Sequence, residues 1–454
     1  MKVLQYISRT LLGLLFIFSG FVKALDPLGS AYKFGDYFQA FGIDFLDSLS
    51  LPLGIFLSAF ELVLGIVLLL GYQKRITYWV LLVFMSFFTL LTFILALTNP
   101  VTDCGCFGDA IIMTNWQTFL KNIIFMLFVL ILFRNRKRAQ NHLDSSVERF
   151  LIILFFLGSF SLSLFSLRHL PVLDFRPYDI GTHIPDDMSI PEGAPADEYN
   201  TILIYQNLET GNNEEFTLEN YPEDTTKYAF VTSESKLISK GYEPPIHDFG
   251  ITDPEGYDVT DEVLNFKGYT LLLVSHNLEK ADEQALVEMN DWAQLDNLAA
   301  DYKFIPLSAS SSSIVDEVKE RASIDFNFYT ADEIMLKTMI RSNPGMLLLK
   351  NGTIVGKWAY RDFPSMEIWN KDWKEIIEQY QEEQDPEIMM LIEEGFMEEI
   401  SWDLIDFDLR ANSLLLESKQ QSLDKLVWVI FILSIGALLC LLQFLPRKKQ
   451  NWRD

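Results

Sequence analysis

Two cysteines stand one glycine apart in the stretch Asp103-Cys104-Gly105-Cys106-Phe107-Gly108-Asp109, between two long apolar runs. Cysteines at i and i+2 can close a small, tight disulfide ring, and a glycine between them accepts the backbone angles such a ring demands. Strained disulfides are the more reducible ones and are often catalytic or regulatory. Three chemistries fit the pair: reversible thiol–disulfide exchange, a disulfide or buried dithiol that only braces the loop, and metal binding. The last is poorest in donors, because no histidine is near and Cys-x-Cys alone is an incomplete ligand set. Asp103 and Asp109, if ionised, raise a nearby thiol pKa and slow thiolate attack. Lys23, or the N-terminus of a helix beginning at Trp116, would offset them. Cys440, the third cysteine, sits roughly 20 Å down the last apolar run at 1.5 Å per residue, too deep to join the pair.

The elements that must position this loop are membrane spans. Apolar runs occur at Leu4–Leu25, Leu51–Leu70, Ile76–Leu97, Trp116–Phe133, Phe150–Leu167 and Leu426–Leu445. Each approaches the ~20 residues a helix needs to cross the hydrocarbon of a bilayer. The runs are continuous rather than alternating, which favours helices over a barrel. The first run lacks a cleavage site and is followed by further spans, so it is expected to be retained. Basic residues mark the cytoplasmic side. Lys74 and Arg75 follow the second run, Arg134, Arg136, Lys137 and Arg138 the fourth, and Arg447, Lys448 and Lys449 the sixth. They share one side if there are six crossings with both termini cytoplasmic. The cysteine loop and the segment between the fifth and sixth spans then face outward, toward the oxidising periplasm of a bacterial inner membrane.

Charge follows the same division. Arg168–Asp424 holds 52 acidic and 19 basic residues, whereas the rest of the chain holds 10 acidic and 17 basic. So acidic a domain would repel phosphates, which argues against a nucleic-acid partner. Within the spans, Glu61 is costly to bury and is expected to face the bundle interior. Arg9 differs from it by about 6 Å in depth and could reach it as an ion-pair partner. Glu61 could instead serve a proton relay, a quinone contact or a transport path. Lys23 and Asp26, at the outer end of the first span, lie at the depth of the cysteine loop and are the candidates for tuning it.

Arg9–Gly42 with its "SGFVKALDP" segment, together with "DCGCFGD" (Asp103–Asp109), resembles the DoxX/MauE group of four-helix membrane proteins, in its long Bacteroidetes form. The resemblance covers residues 1–140 and implies thiol–disulfide or quinone-coupled redox work, with Cys104 and Cys106 as the matching motif. It assigns no cofactor beyond a quinone as a candidate.

Beyond the fifth span (149–168) a small β-rich subdomain is expected at 171–246, from the strand-like "TILIYQN", "EEFTLENYP" and "YAFVTSES". At 247–381 strand and helix patterns alternate. Tyr269–Ser275 reads as a buried strand, Ser312–Ala322 as a helix with a serine cap, and Asn351-Gly352 as the turn of a hairpin. The order resembles thioredoxin, with Pro344 as its structural proline before the hairpin. That fold normally carries Cys-x-x-Cys where this chain reads Ser275-His276-Asn277-Leu278. A cysteine-free domain of this kind is expected to dock a protein partner, and His276 to be a polar loop residue. An acidic helical linker (382–424) and a last span (425–446) complete the expected architecture, an all-α membrane bundle carrying an α/β domain. No phosphate-binding loop, zinc-protease motif or nucleophile elbow appears, and no metal site is expected. Two function classes remain: a membrane thiol–disulfide oxidoreductase, and a non-enzymatic anchored scaffold whose cysteines are a brace.

Overall fold

Glycines let the first two spanning helices touch backbone to backbone. The computed structural model describes residues 2–136, 145–222, 224–239, 241–295 and 302–364. The expected last span, the acidic linker and Cys440 lie outside the described residues. Helix α1 covers Lys2–Leu25 and packs along α3, Ser50–Leu70. A Cβ on Gly20 would meet the backbone of Ser58 and Leu62, and one on Gly65 the backbone of Gly13 and Ile17. Such small-residue contacts are how helices associate closely in lipid, where burial of apolar surface gives little drive.

Between α1 and α3 the sequence held an unforeseen helix, α2, Pro27–Ala40. Asp26 caps it by accepting from Gly29 N at 2.9 Å, with Pro27 in the first turn where its missing N–H costs nothing. Helices α4 (Lys74–Thr98), α5 (Asn115–Arg134) and α6 (Ser145–Arg168) follow. Helices α1, α3, α4, α5 and α6 are long and apolar enough to cross a membrane. Leu12, Phe16, Leu64, Leu68, Leu81, Met85, Val129 and Leu132 fill the bundle interior.

Residues Thr182–Phe249 form a separate compact unit. It holds a short helix α7 (Ile184–Met188) and strands β1 (Glu198–Asn207), β2 (Asn213–Thr217) and β3 (Tyr228–Ser239), antiparallel in the order β2-β1-β3. Tyr205 packs edge-on against Phe216 and Phe230 at 5.7 and 5.5 Å between ring centres, the cross-strand pairing that stabilises so small a sheet.

The remaining elements are β4 (Ile251–Thr252), α8 (Thr260–Leu264), β5 (Tyr269–Ser275), α9 (Glu283–Leu295), β6 (Tyr302–Ser308), α10 (Ser312–Ala322), β7 (Tyr329–Ala331), α11 (Glu333–Met339), β8 (Gly345–Lys350) and β9 (Thr353–Ala359). Their sheet runs β4-β7-β6-β5-β8-β9. β5 pairs parallel with β6 and antiparallel with β8, and β9 closes the hairpin. All seven residues of β5 are buried, as befits a central strand covered on both faces. This is the thioredoxin-like core: a β-α-β unit followed by an antiparallel hairpin on the other side of its first strand. Asn343–Pro344 is a cis bond leading into β8.

Charged knots tie this domain to the membrane bundle. Arg176 grips Asp174 through Nε and Nη2, both at 2.7 Å, and donates to Thr338 O at 2.8 Å. Lys357 reaches the same Asp174 at 2.8 Å. The two cations outweigh burial and hold the Asp174 carboxyl down to about 2. His169, at the end of α6, lies 2.7 Å from Asp362.

Candidate functional site

Four fasteners hold the cysteine loop over the end of the bundle where α1 stops. Lys33 Nζ meets Asp103 at 2.7 Å, and Asp103 Oδ1 in turn accepts from Gly105 N at 2.8 Å. Tyr37 Oη donates to the Cys104 carbonyl at 2.8 Å. Ser19 Oγ lies 2.6 Å from the Cys106 carbonyl. At the far end Asp109 accepts from Arg341 Nη2 at 3.1 Å. Lys33 and Tyr37 are i and i+4 on α2, so one helix face supplies two of the four. Gly105 sits at φ +63° with the Lys33 stem against the place of a Cβ, which is why the middle of the motif is glycine.

This geometry puts the two sulfurs 2.7 Å apart, with both cysteines half-buried. The thiols are not equivalent. The two sulfurs share one hydrogen bond, which pulls the Cys106 pKa down to about 6 against burial, helped by the charges of Lys121 and Lys23. The same bond pushes Cys104 well above its ordinary value, and burial and the neighbouring sulfur charge add to it. Near neutrality the resting state is therefore a Cys106 thiolate stabilised by a Cys104 thiol. The two aspartates expected to oppose ionisation face Lys33 and Arg341 instead. The first turn of α5 does not supply the charge, because Thr114 and Gln117 close it with their own capping box. Alkylation of Cys106 in the reduced protein should accordingly rise through a midpoint near pH 6, losing about tenfold per unit below it. Iodoacetamide labelling read by mass spectrometry from pH 4 to 9 checks this; a midpoint above pH 8 would contradict it.

Below the loop lies a buried ion pair. Lys23 Nζ contacts Glu61 Oε2 at 2.7 Å and Oε1 at 2.9 Å, and these side chains are 8% and 6% exposed. Arg9, the partner expected from depth counting, is not there. Its guanidinium lies over the Tyr6 ring, 5.7 Å from the centre, some 21 Å along α1 from Lys23 at 1.5 Å per residue. The counting assumed that both spans begin level. The glycine contacts instead seat the end of α1 beside the middle of α3, while α2 packs against the part of α3 beyond it. Ser19 Oγ links the pair to the loop, 2.7 Å from Glu61 Oε2 as well as 2.6 Å from the Cys106 carbonyl. Its one hydrogen can serve only one of these acceptors at a time, so the hydroxyl links the ion pair to the cysteine backbone.

The loop roofs a cavity of about 240 Å³. Phe16, Phe34, Phe84, Phe88 and Phe107 form much of its wall, and Lys23, Glu61, Lys121 and the two cysteines face it. Lys121 Nζ sits 4.4 Å from the centre of the Phe107 ring. Lys121 was missed by the sequence reading, although its signal was plain: it is the one charged side chain in the run Trp116–Phe133. Ser19, Lys33, Tyr37 and Arg341 carry no such mark, since serine and tyrosine are ordinary in spans and Arg341 belongs to a distant domain.

The thioredoxin-like domain holds no cysteine between residues 247 and 381. Ser275 Oγ donates to Asn343 Oδ1 at 2.8 Å, and Asn343 Nδ2 donates to the Asn277 carbonyl at 2.7 Å, so the corner where cysteines would stand is knitted shut. Burial, with Lys337, lowers His276 to about 4, leaving it neutral near pH 7. Among the described residues no group of three or more His, Cys, Asp or Glu is placed to hold a metal ion. What the domain contributes is Arg341, just before Pro344. Its Nε meets both oxygens of Asp26 at 3.0 and 2.9 Å, and its guanidinium lies over Tyr32 at 5.3 Å.

Residues 1–134 match the family model described as methylamine utilisation protein MauE. Residues 199–240 match a family described as a domain of unknown function, DUF8463. A curated relative, Protein TlpB of Flavobacterium psychrophilum, is 31% identical over 135 residues, 29% of this chain; the match spans only 36% of that relative's length. A solution structure described as a protein disulfide isomerase from Bacteroides thetaiotaomicron aligns over 30% of this chain and 84% of its own, at 15% identity and a TM-score of 0.23. The fold of the second domain therefore rests on its strand order and not on that likeness. The first 134 residues are thus similar to the MauE family, and the sheet that follows has the strand order of a thioredoxin-like fold.

Proposed function

We propose that this protein is a thiol–disulfide oxidoreductase of the bacterial inner membrane, with Cys104 and Cys106 cycling between dithiol and disulfide and a lipid-soluble quinone as the electron acceptor. The observation that carries this reading is the cysteine pair, its sulfurs 2.7 Å apart, on the roof of an aromatic cavity set among spanning helices. An aromatic-walled cavity with cations at one end suits a planar ring bearing carbonyl oxygens. A quinone when bound would take up the two electrons. The chain's own residues do the rest. Cys106 is the attacking sulfur, Cys104 supplies one proton as the S–S bond closes, and Lys121 and Lys23 offer positive charge where oxygen gains electron density. The loop and both soluble units face the periplasm, in a topology of six spans with both termini cytoplasmic. A periplasmic or membrane protein re-reduces the disulfide by exchange, and the cysteine-free domain docks it without reacting.

Trapping thiols with an alkylating agent in intact cells tests the scheme. Blocking quinol oxidation should move the pair toward the dithiol. A pair that holds one redox state with the chain running or blocked would instead support the scaffold reading, in which the sulfurs brace the loop.

A further inference from the structure

We infer that a second, polar chamber behind the cysteine loop is the proton port of the dithiol site, with Asp109 as its outer proton carrier. This rests on the quinone-coupled reading above and concerns a need that reading creates. Because Cys106 rests as a thiolate, the pair holds one proton and not two. Oxidation runs as Cys104–SH plus Cys106–S⁻ plus quinone plus one H⁺, giving the disulfide and a quinol. The S–S bond forms, two electrons pass to the quinone, one proton comes from Cys104 and the other must come from water. Re-reduction by a partner dithiol gives the partner disulfide, restores Cys104–SH and Cys106–S⁻, and releases one H⁺. One proton therefore enters and one leaves in each cycle.

A smaller polar chamber beside the aromatic cavity offers that proton a path. The second chamber has a volume of about 30 Å³, enough for a water molecule, which needs two to four polar partners. Lys23 and Lys33 line both spaces, as does the backbone at Gly105, so the two lysines stand between them. The remaining charged groups on the small chamber are Asp26, Asp109, Asp174 and Arg176, with Arg341 closing over Asp26 and Asp109. Of the three carboxylates, two are committed. Asp174 is held ionised by Arg176 and Lys357, and Asp26 accepts from both Arg341 and Gly29 N. Asp109 has a single contact to Arg341 at 3.1 Å, and its side chain is 38% exposed, against 22% for Asp26 and 10% for Asp174. It is the most exposed of the three carboxylates that line the chamber. Burial raises its pKa, with Asp26 adding to the rise and Arg341, Arg176 and Lys33 opposing it, which favours a carboxyl able to take up a proton.

The test uses the full chain in proteoliposomes, reduced and then mixed with a short-chain ubiquinone analogue, with quinol formation followed in single turnover from pH 5 to 9. Asp109→Asn should slow quinol formation by about 100-fold at pH 8, the lower range for a positioned proton carrier, and steepen the fall between pH 6 and 8. Asp109→Glu should restore the rate, and Cys106 alkylation should be unaltered in both. An Asp109→Asn protein with the parent rate and pH profile overturns the inference. So does a slow Asp109→Asn whose loss Asp109→Glu fails to rescue and whose Cys106 alkylation is shifted, since Asp109 is then a strut of the loop. If the parent protein reduces no quinone at all, the functional reading itself falls, an outcome distinct from the other two.

Discussion

Replacing Cys106 with serine is expected to abolish electron transfer and to leave a protein almost inert to alkylation at pH 7. Replacing Cys104 with serine is expected to abolish turnover too, yet leave a reactive thiolate. The asymmetry follows from the hydrogen bond between the sulfurs. In Cys106→Ser the remaining thiol is Cys104, whose pKa burial still raises, so the thiol form dominates at neutral pH. In Cys104→Ser a hydroxyl still stands as donor and Lys121 and Lys23 still face Cys106. In that variant the Cys106 thiolate should attack the disulfide of the partner's oxidised form, breaking its S–S bond, and with no Cys104 to resolve it the mixed disulfide should accumulate, to be identified by mass spectrometry. Equal labelling of the two single-serine proteins at pH 7 would contradict the assignment of roles.

The second large effect concerns Lys23 and Glu61. Each neutralises a charge that would otherwise lie unpaired among apolar side chains, and breaking such a buried pair costs about 3–5 kcal/mol. Lys23→Met or Glu61→Met alone should lower the melting temperature in detergent by about 10 °C, at roughly 2–4 °C per kcal/mol for a domain of this size. The double substitution, which removes both charges and keeps similar volume, should recover most of the loss. Strong non-additivity of this kind is the signature of direct coupling. Two single variants that melt with the parent would show that the pair is not sealed from water. Activity should not return in the double variant, because Ser19 and the cavity then lose the groups that move charge beside Cys106.

The same pair marks the limit of reading depth from sequence. Glu61 was visible as an ionisable residue in an apolar run, and so was the need for a cation. The identity of the cation was not visible. Residue counting aligns helix ends, whereas three glycines in α1 and α3 slide one helix along the other until backbone meets backbone. Counting therefore proposed Arg9, and packing supplied Lys23. The hairpin at Asn351-Gly352 behaved differently. Both residues take positive φ, 48° and 74°, and Asn-Gly is the pair most tolerant of that conformation, so local chemistry was enough.

By itself the sequence determined the membrane runs, the cysteine pair, the absence of cysteines from the second domain and the central strand Tyr269–Ser275. These follow from apolar length, residue identity and short-range backbone preference, which act within one segment. The tertiary structure alone decided that the two sulfurs meet at 2.7 Å, that Lys121 and Lys23 share a cavity with them, and that Arg341 closes over Asp26 and Asp109 from more than 200 residues away in the chain. Electrostatic energy depends on distance and burial between groups on different elements, and no spacing along a chain encodes those until the elements have packed.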